Sequence, residues 1–175
     1  MSMDAGVSEQ DWQLWREFLT MHRHLARELD RQLQRDAGIS QADFSVLLRL
    51  SESTTQRLRT GELAELLAWE KSRVSHQVTR MEARDLLERS ECAEDGRGTW
   101  VGLTDEGRRV LQDASGDHAA TIRSLFFDHL TAAEKAALGA SSRRILDAMN
   151  PEACEIAAEV GLPGAPTRAR REPAA

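Results

Sequence analysis

Apolar residues recur three or four positions apart from Trp12 through Trp15, Leu19, Leu25 and Leu29 to Leu33, with His22 on the same stripe. That spacing keeps side chains on one face of an α-helix. Ser8-Glu-Gln-Asp11 reads as a capping box with Asp in place of the usual Glu or Gln, and Asp36-Ala-Gly38 closes the run on a glycine suited to a helix cap. The pattern predicts one helix of about 28 residues at a rise of about 1.5 Å per residue. A helix of that length outruns a small domain, so part of its face is expected to pack on another subunit.

Ser40-Gln-Ala-Asp43 starts a second helix carrying Phe44, Leu47, Leu48 and Leu50, and Ser51 to Thr60 reads as a polar connection containing Arg57 and Arg59. Two short helical patterns follow. In the first, Glu62 to Ala68, Leu63, Leu66 and Leu67 share one side, with Thr60 as cap and Glu62 in the positive first turn. The second, Lys71 to Arg84, has an inward stripe of Val74, Val78 and Met81. Ser72, Arg73, Ser75, His76, Thr79 and Arg80 then project outward, with Gln77 at the border, and all seven are candidate DNA contacts. Beyond it, Leu86 to Cys92 and Thr99 to Leu103 are extended runs around Ala93-Glu-Asp-Gly-Arg-Gly98, a hairpin signal.

Helix, tight turn, helix and hairpin in that order predict a winged helix-turn-helix, mainly α with a small β-hairpin wing. The outward set of the second helix consists of side chains that donate to base edges and phosphates, with almost no carboxylate to repel them. A merely solvated face is the alternative for any single surface helix. The wing directly behind this one favours DNA contact.

Leu63-Ala-Glu-Leu-Leu67, Ser75-His-Gln-Val-Thr-Arg-Met-Glu82, Leu86-Leu-Glu-Arg89, Asp95-Gly-Arg97 and Leu103-Thr-Asp-Glu-Gly-Arg108 resemble the MarR family (multiple antibiotic resistance regulators), over roughly Trp12 to Met149. The resemblance implies a dimer whose body is formed by the first helix and the last two. It also implies a wing arginine, Arg97, that enters the minor groove while Asp95 holds its guanidinium. Many family members bind small aromatic or amphipathic acids between dimer body and DNA-binding lobe, and by that resemblance Trp15, His22 and Phe44 are candidate ligand-lining residues; ordinary core is the alternative for all three. The sequence departs from the family at Asp85, where Gly usually ends the recognition helix in a left-handed turn.

Composition narrows the picture. The formal net charge of −6 argues against a general nucleic-acid coat, which would be basic throughout. Lys71, Arg73, Arg80 and Arg84 nevertheless outnumber Glu70 and Glu82 along the candidate reading helix, so affinity is expected to depend steeply on salt. All four prolines, Pro151, Pro163, Pro166 and Pro173, lie after residue 150 and leave the preceding helices unbroken. There is no apolar run of membrane-spanning length and no basic-then-apolar leader pattern at Met1-Ser-Met-Asp4, so a cytoplasmic protein is expected. Cys92 and Cys154 lack Cys-x-x-Cys spacing, and no structural disulfide is expected.

After the wing, Thr104 caps a helix with Val110, Leu111, Ala114, His118, Ile122, Leu125 and Phe126 inward, ending near Leu130. Thr131-Ala-Ala-Glu134 is a full capping box ahead of Leu138, Ser142, Ile145 and Met149. These helices have no core of their own to fill, which implies a symmetric homodimer. Asn150-Pro151 opens a short helix through Val160, and the Pro- and Arg-rich remainder reads as a disordered tail. The expected organisation is a dimerisation helix over 8–37, a DNA-binding lobe over 40–103, C-terminal dimerisation helices over 104–149, and a short helix with tail over 150–175.

Catalysis finds no support. His22, His24, His76, His118 and His129 have no nucleophile or carboxylate partner at a recognisable spacing, and no phosphate-cradling glycine motif is present. No cofactor is called for, and His22 and His118, on apolar stripes, are expected to be hydrogen-bonded core histidines rather than metal ligands. The sequence reads as a sequence-specific DNA-binding regulator, a repressor that acts as a homodimer on a pseudo-palindromic operator and responds to a small aromatic or amphipathic effector. The alternatives are a winged-helix protein-interaction module without DNA contact, and a metal- or redox-responsive regulator. Redox control through Cys92 ranks below ligand control, because Glu91 and Glu94 disfavour its thiolate.

Overall fold

The computed structural model describes residues 6–91, 99–150, 155–157 and 159–160. Its elements run α1 (Glu9–Ala37), α2 (Gln41–Glu52), β1 (Arg57–Arg59), α3 (Thr60–Leu67), α4 (Lys71–Glu82), β2 (Leu87–Glu91), β3 (Thr99–Leu103), α5 (Asp105–Leu125), a 3₁₀ turn (Phe127–His129) and α6 (Ala132–Met149). Residues 155–157 are again helical. The three strands form one antiparallel sheet in the order β1-β3-β2, with Leu58 opposite Val101 and Leu87 opposite Leu103.

Local chemistry sets most boundaries. The Ser8/Asp11, Ser40/Asp43 and Thr131/Glu134 pairs each close a reciprocal capping box, and Gly38 ends α1 at φ 65°. Thr104 caps α5 through its hydroxyl. Thr60, expected as the cap of α3, is instead its first helical residue. The orphan N–H of Arg59 before it donates to the Glu62 carboxylate at 2.6 Å.

The stretch before α3 is not merely a polar connection. It contains β1, whose single inward residue, Leu58, is fully buried between two arginines.

The core lies where α2, α3, α4 and the sheet converge: Phe44, Val46, Leu47, Leu50, Leu58, Leu63, Val74, Val78, Met81, Val101 and Leu103 are all buried. The end of α1 adds Leu33 and α5 adds Leu111 and Ala114. On α1, by contrast, only Gln32 and Leu33 are buried, and α6 buries nothing. Leu14, Trp15, Phe18 and Met21 on α1 and Leu138, Ile145, Leu146 and Met149 on α6 stand exposed in the single chain.

His118 is the hydrogen-bonded core histidine expected of it. It is 3% exposed, its Nδ1 lies 2.9 Å from Gln32 Oε1, and its ring packs on Phe44 with centroids 4.4 Å apart. His22 is not in the core: it is exposed at the end of a stacked series with Phe18 and Trp15 on the outer face of α1.

Candidate nucleic-acid interface

The turn between α3 and α4 is short because α3 stops on an αL residue. Ala68 has φ 51°, its N–H donates to Glu65 O at 3.1 Å, and the following Trp69 N–H donates to Ala64 O at 2.9 Å. This double closure is a Schellman motif. Helix α4 ends the same way: Asp85 N–H reaches Glu82 O at 3.0 Å, Leu86 N–H reaches Met81 O at 3.0 Å, and Asp85 has φ 57°. Asp85 thus adopts the left-handed conformation that glycine takes at no steric cost.

Between those stops α4 turns Val74, Val78 and Met81 fully inward. Ser72, Arg73, Ser75, His76, Thr79 and Arg80 are all exposed on the other side, as their spacing predicts. Two of them are oriented by neighbours. The Arg73 guanidinium lies 4.0 Å from the centroid of the Trp69 ring in the preceding turn, close enough for a cation–π contact. The Thr79 hydroxyl donates to Ser75 O at 2.9 Å and accepts from Arg89 Nη2 at 2.9 Å.

Gln77 corrects the sequence reading. It is 3% exposed, and its amide bonds Asp43 on α2 on one side and the Arg80 guanidinium on the other. An amide buried this deeply, with a partner at each end, is not presented to a base edge. The physical reason is visible in the spacing, since position 77 lies three residues after Val74 and four before Met81, on the inward stripe.

The wing fixes itself to this helix through Arg89 on β2, which also bonds Ser75 O at 3.3 Å and pairs with Glu82 at 3.1 Å. Arg89 stands in a segment singled out above, but nothing local marked its role. On the opposite edge of the sheet, Arg57 and Arg59 place their guanidinium groups 5.1 and 5.2 Å from the Trp100 ring centroid. Asp95 and Arg97, the wing residues expected at the minor groove, and Cys92 lie outside the described residues.

The three candidate ligand-lining residues do not converge within one chain. Phe44 is 6% exposed and belongs to the core, whereas Trp15 and His22 share the exposed face of α1. A crevice of about 190 Å³ lies elsewhere, over one face of the sheet beside the start of α5, lined by Gln56, Arg57, Glu88, Ser90 and Arg108 among others. Among the described residues no three metal-ligating side chains gather, and no helix is long and apolar enough to cross a membrane.

A short helix pair joined by a tight turn, with a polar face outward and a three-stranded sheet pinned beside it, defines a winged helix-turn-helix protein. The family model for the MarR family matches residues 39–99. The regulator Sco3205 of Streptomyces coelicolor, solved in complex with DNA, is 36% identical with a TM-score of 0.79, over 83% of this chain and 91% of that one. AbsC, a MarR family transcriptional regulator from the same organism, is 32% identical with a TM-score of 0.78, over 83% and 97%. PcaV of S. coelicolor, solved with its natural ligand, shares the fold at 24% identity and a TM-score of 0.64, over 85% and 98%. No curated protein matches by sequence. The chain belongs to the MarR family of transcriptional regulators.

Proposed function

We propose that the protein is a homodimeric repressor that lays α4 of each protomer in successive major grooves of a pseudo-palindromic operator and releases it on binding a small aromatic or amphipathic effector. The observation that carries this reading is the two-sidedness of α4. Ser72, Arg73, Ser75, His76 and Arg80 are exposed opposite a stripe with no exposure at all. A protein-docking face would carry exposed apolar side chains there, and this one has none, which disfavours the interaction-module alternative.

The dimer rests on the apolar faces left open on α1, α5 and α6. Joined about a two-fold axis, such faces would hold two reading helices about 34 Å apart, one turn of DNA. Residues 8–37 and 104–149 then serve as dimer body and 40–103 as the DNA-binding lobe, in a cytoplasmic protein that performs no catalysis. The DNA in the Sco3205 structure supports operator binding, and the ligand in PcaV supports an effector. In a dimer the Trp15–Phe18–His22 face of α1 is the candidate effector wall, because the partner's helices would roof it. An effector acts only if it binds the DNA-incompetent spacing more tightly.

The test is selection of bound fragments from genomic DNA, followed by gel shift of the recovered operator at physiological salt. Arg73→Ala and Arg80→Ala are each expected to weaken binding about 10-fold or more, as for loss of a bidentate base contact, while the protein stays folded. Unchanged affinity for both variants refutes the reading.

A further inference from the structure

Beneath the exposed face of α4 lies a chain of polar groups that packing alone does not require. The Asp43 carboxylate on α2 is 5% exposed. One oxygen, Oδ1, accepts from Gln77 Nε2. The other, Oδ2, accepts from the Ser40 N–H and hydroxyl, both at 2.9 Å, and from Arg84 Nη1 at 3.0 Å. Arg84 also donates to Gly38 O at 2.9 Å, tying the end of α4 to the α1–α2 turn. Gln77 Oε1 in turn accepts from Arg80 Nη2.

We propose that Asp43 and Gln77 form a relay that presents Arg80 to DNA in one orientation, which makes both of them positioning residues for base selection without touching a base. The proposal rests on the reading of α4 as the DNA-contacting helix. An amide can bond by either end, but an ionised carboxylate can only accept. Asp43 therefore draws the Gln77 NH₂ inward and leaves its carbonyl oxygen facing out, where it holds one guanidinium N–H of Arg80. The remaining donors of that planar fork keep a fixed direction, so less side-chain freedom is lost when the fork meets a base edge. Arg84 and Ser40 hold the carboxylate in place, so the aim of Arg80 is set from α2 and the α1–α2 turn, not from α4 alone.

The experiment is a double-mutant cycle read on base preference. Competition binding to the operator and to each of its single-base variants is measured for wild type, Gln77→Met, Arg80→Ala and the double variant, with circular dichroism as the folding control. Methionine keeps the length of Gln77 and leaves the Asp43–Arg84 pair intact. Arg80→Ala identifies the base pair that Arg80 addresses. Gln77→Met is expected to lower discrimination there by roughly threefold to tenfold, part of the worth of a bidentate contact. Other positions and non-specific DNA should stay within about twofold, and the substitution should have no effect once Arg80 is alanine.

If Gln77→Met acts equally with and without Arg80, or weakens every sequence alike, the relay is overturned while α4 remains the reading helix. If Arg80→Ala itself leaves operator binding unchanged, the reading of α4 falls and the relay with it. Should Gln77→Met not fold, Asp43→Asn enters the same cycle. Its amide would let Gln77 turn its NH₂ toward Arg80, so the same loss confined to the same base pair is expected, and an unchanged profile overturns the proposal.

Discussion

Gly107 offers a sharp test of how α5 is joined to the winged-helix lobe. It lies in the first turn of α5, where its N–H donates to the Thr104 cap at 3.0 Å, and a Cβ built on it would stand 2.0 Å from Leu86 O and 3.0 Å from Leu86 C. Neither backbone is free to retreat. Leu86 N–H is held by Met81 O, Thr104 N–H reaches Leu86 O at 3.4 Å, and Leu87 pairs with Leu103 across the sheet. In an open helix Gly→Ala stabilises by about 1 kcal/mol. Here overpacking opposes it by about 1–3 kcal/mol, and a disturbed Thr104 cap adds about 1 kcal/mol more, so the sign reverses and Gly107→Ala is expected to destabilise by about 1–3 kcal/mol. Urea unfolding followed by circular dichroism reads this, at one fixed protomer concentration because association is linked to folding. Gly61→Ala on α3 is the control: nothing lies within 4 Å of its Cβ, and it should be neutral or slightly stabilising. A Gly107→Ala midpoint at or above that of wild type would refute the account of the junction.

Three further outcomes follow from the same physics. Ala68 and Asp85 hold positive φ without being glycine, so Ala68→Gly and Asp85→Gly should each raise stability by about 0.5–1 kcal/mol; a drop in thermal midpoint for both contradicts the strain argument. Burial lowers the His118 pKa from the ordinary value of 6.5, so the folded protein keeps this ring neutral where the unfolded chain protonates it. Its contribution is therefore present above pH 6.5 and lost as pH falls from there through the folded pKa, and His118→Gln should flatten the fall in urea midpoint between about pH 7.5 and 5.5. Equal slopes for the two proteins would remove His118 from the account. Finally, Ile145→Asp places a charge on the open face of α6 and should convert a dimer to monomer in analytical ultracentrifugation, whereas a wild type that already sediments as monomer defeats the dimer reading.

The parts of this fold legible in the sequence are those written over three or four adjacent residues. Ser8 with Asp11, Ser40 with Asp43 and Thr131 with Glu134 announce helix starts because cap and partner share one turn, and Gly38 announces a stop. Val74, Val78 and Met81 fix which way α4 faces, and with it most of the candidate site. What escaped depends on partners distant along the chain. Strand β1 has one inward residue and so no alternation to detect. Arg89 finds its role across ten residues, on the helix before it. Gln77 reads from the sequence as a border residue of α4, and what makes its amide stable on the inward side is the buried carboxylate of Asp43, 34 positions earlier, which no local pattern reveals.

Helix α1 runs for 29 residues without an interruption, about 43 Å at the ordinary rise per residue. Leu33, near one end, is embedded in the lobe that carries α4, while Trp15 and Phe18, toward the other, lie on the open face. A rod of that length works as a lever: a tilt of about 5° pivoting at Trp15 swings the far end, about 33 Å away, by about 3 Å, close to the ~3.4 Å step between stacked bases. In the dimer proposed above, an effector seated among those aromatic rings would therefore need only a slight lean to throw the reading heads out of step with the groove.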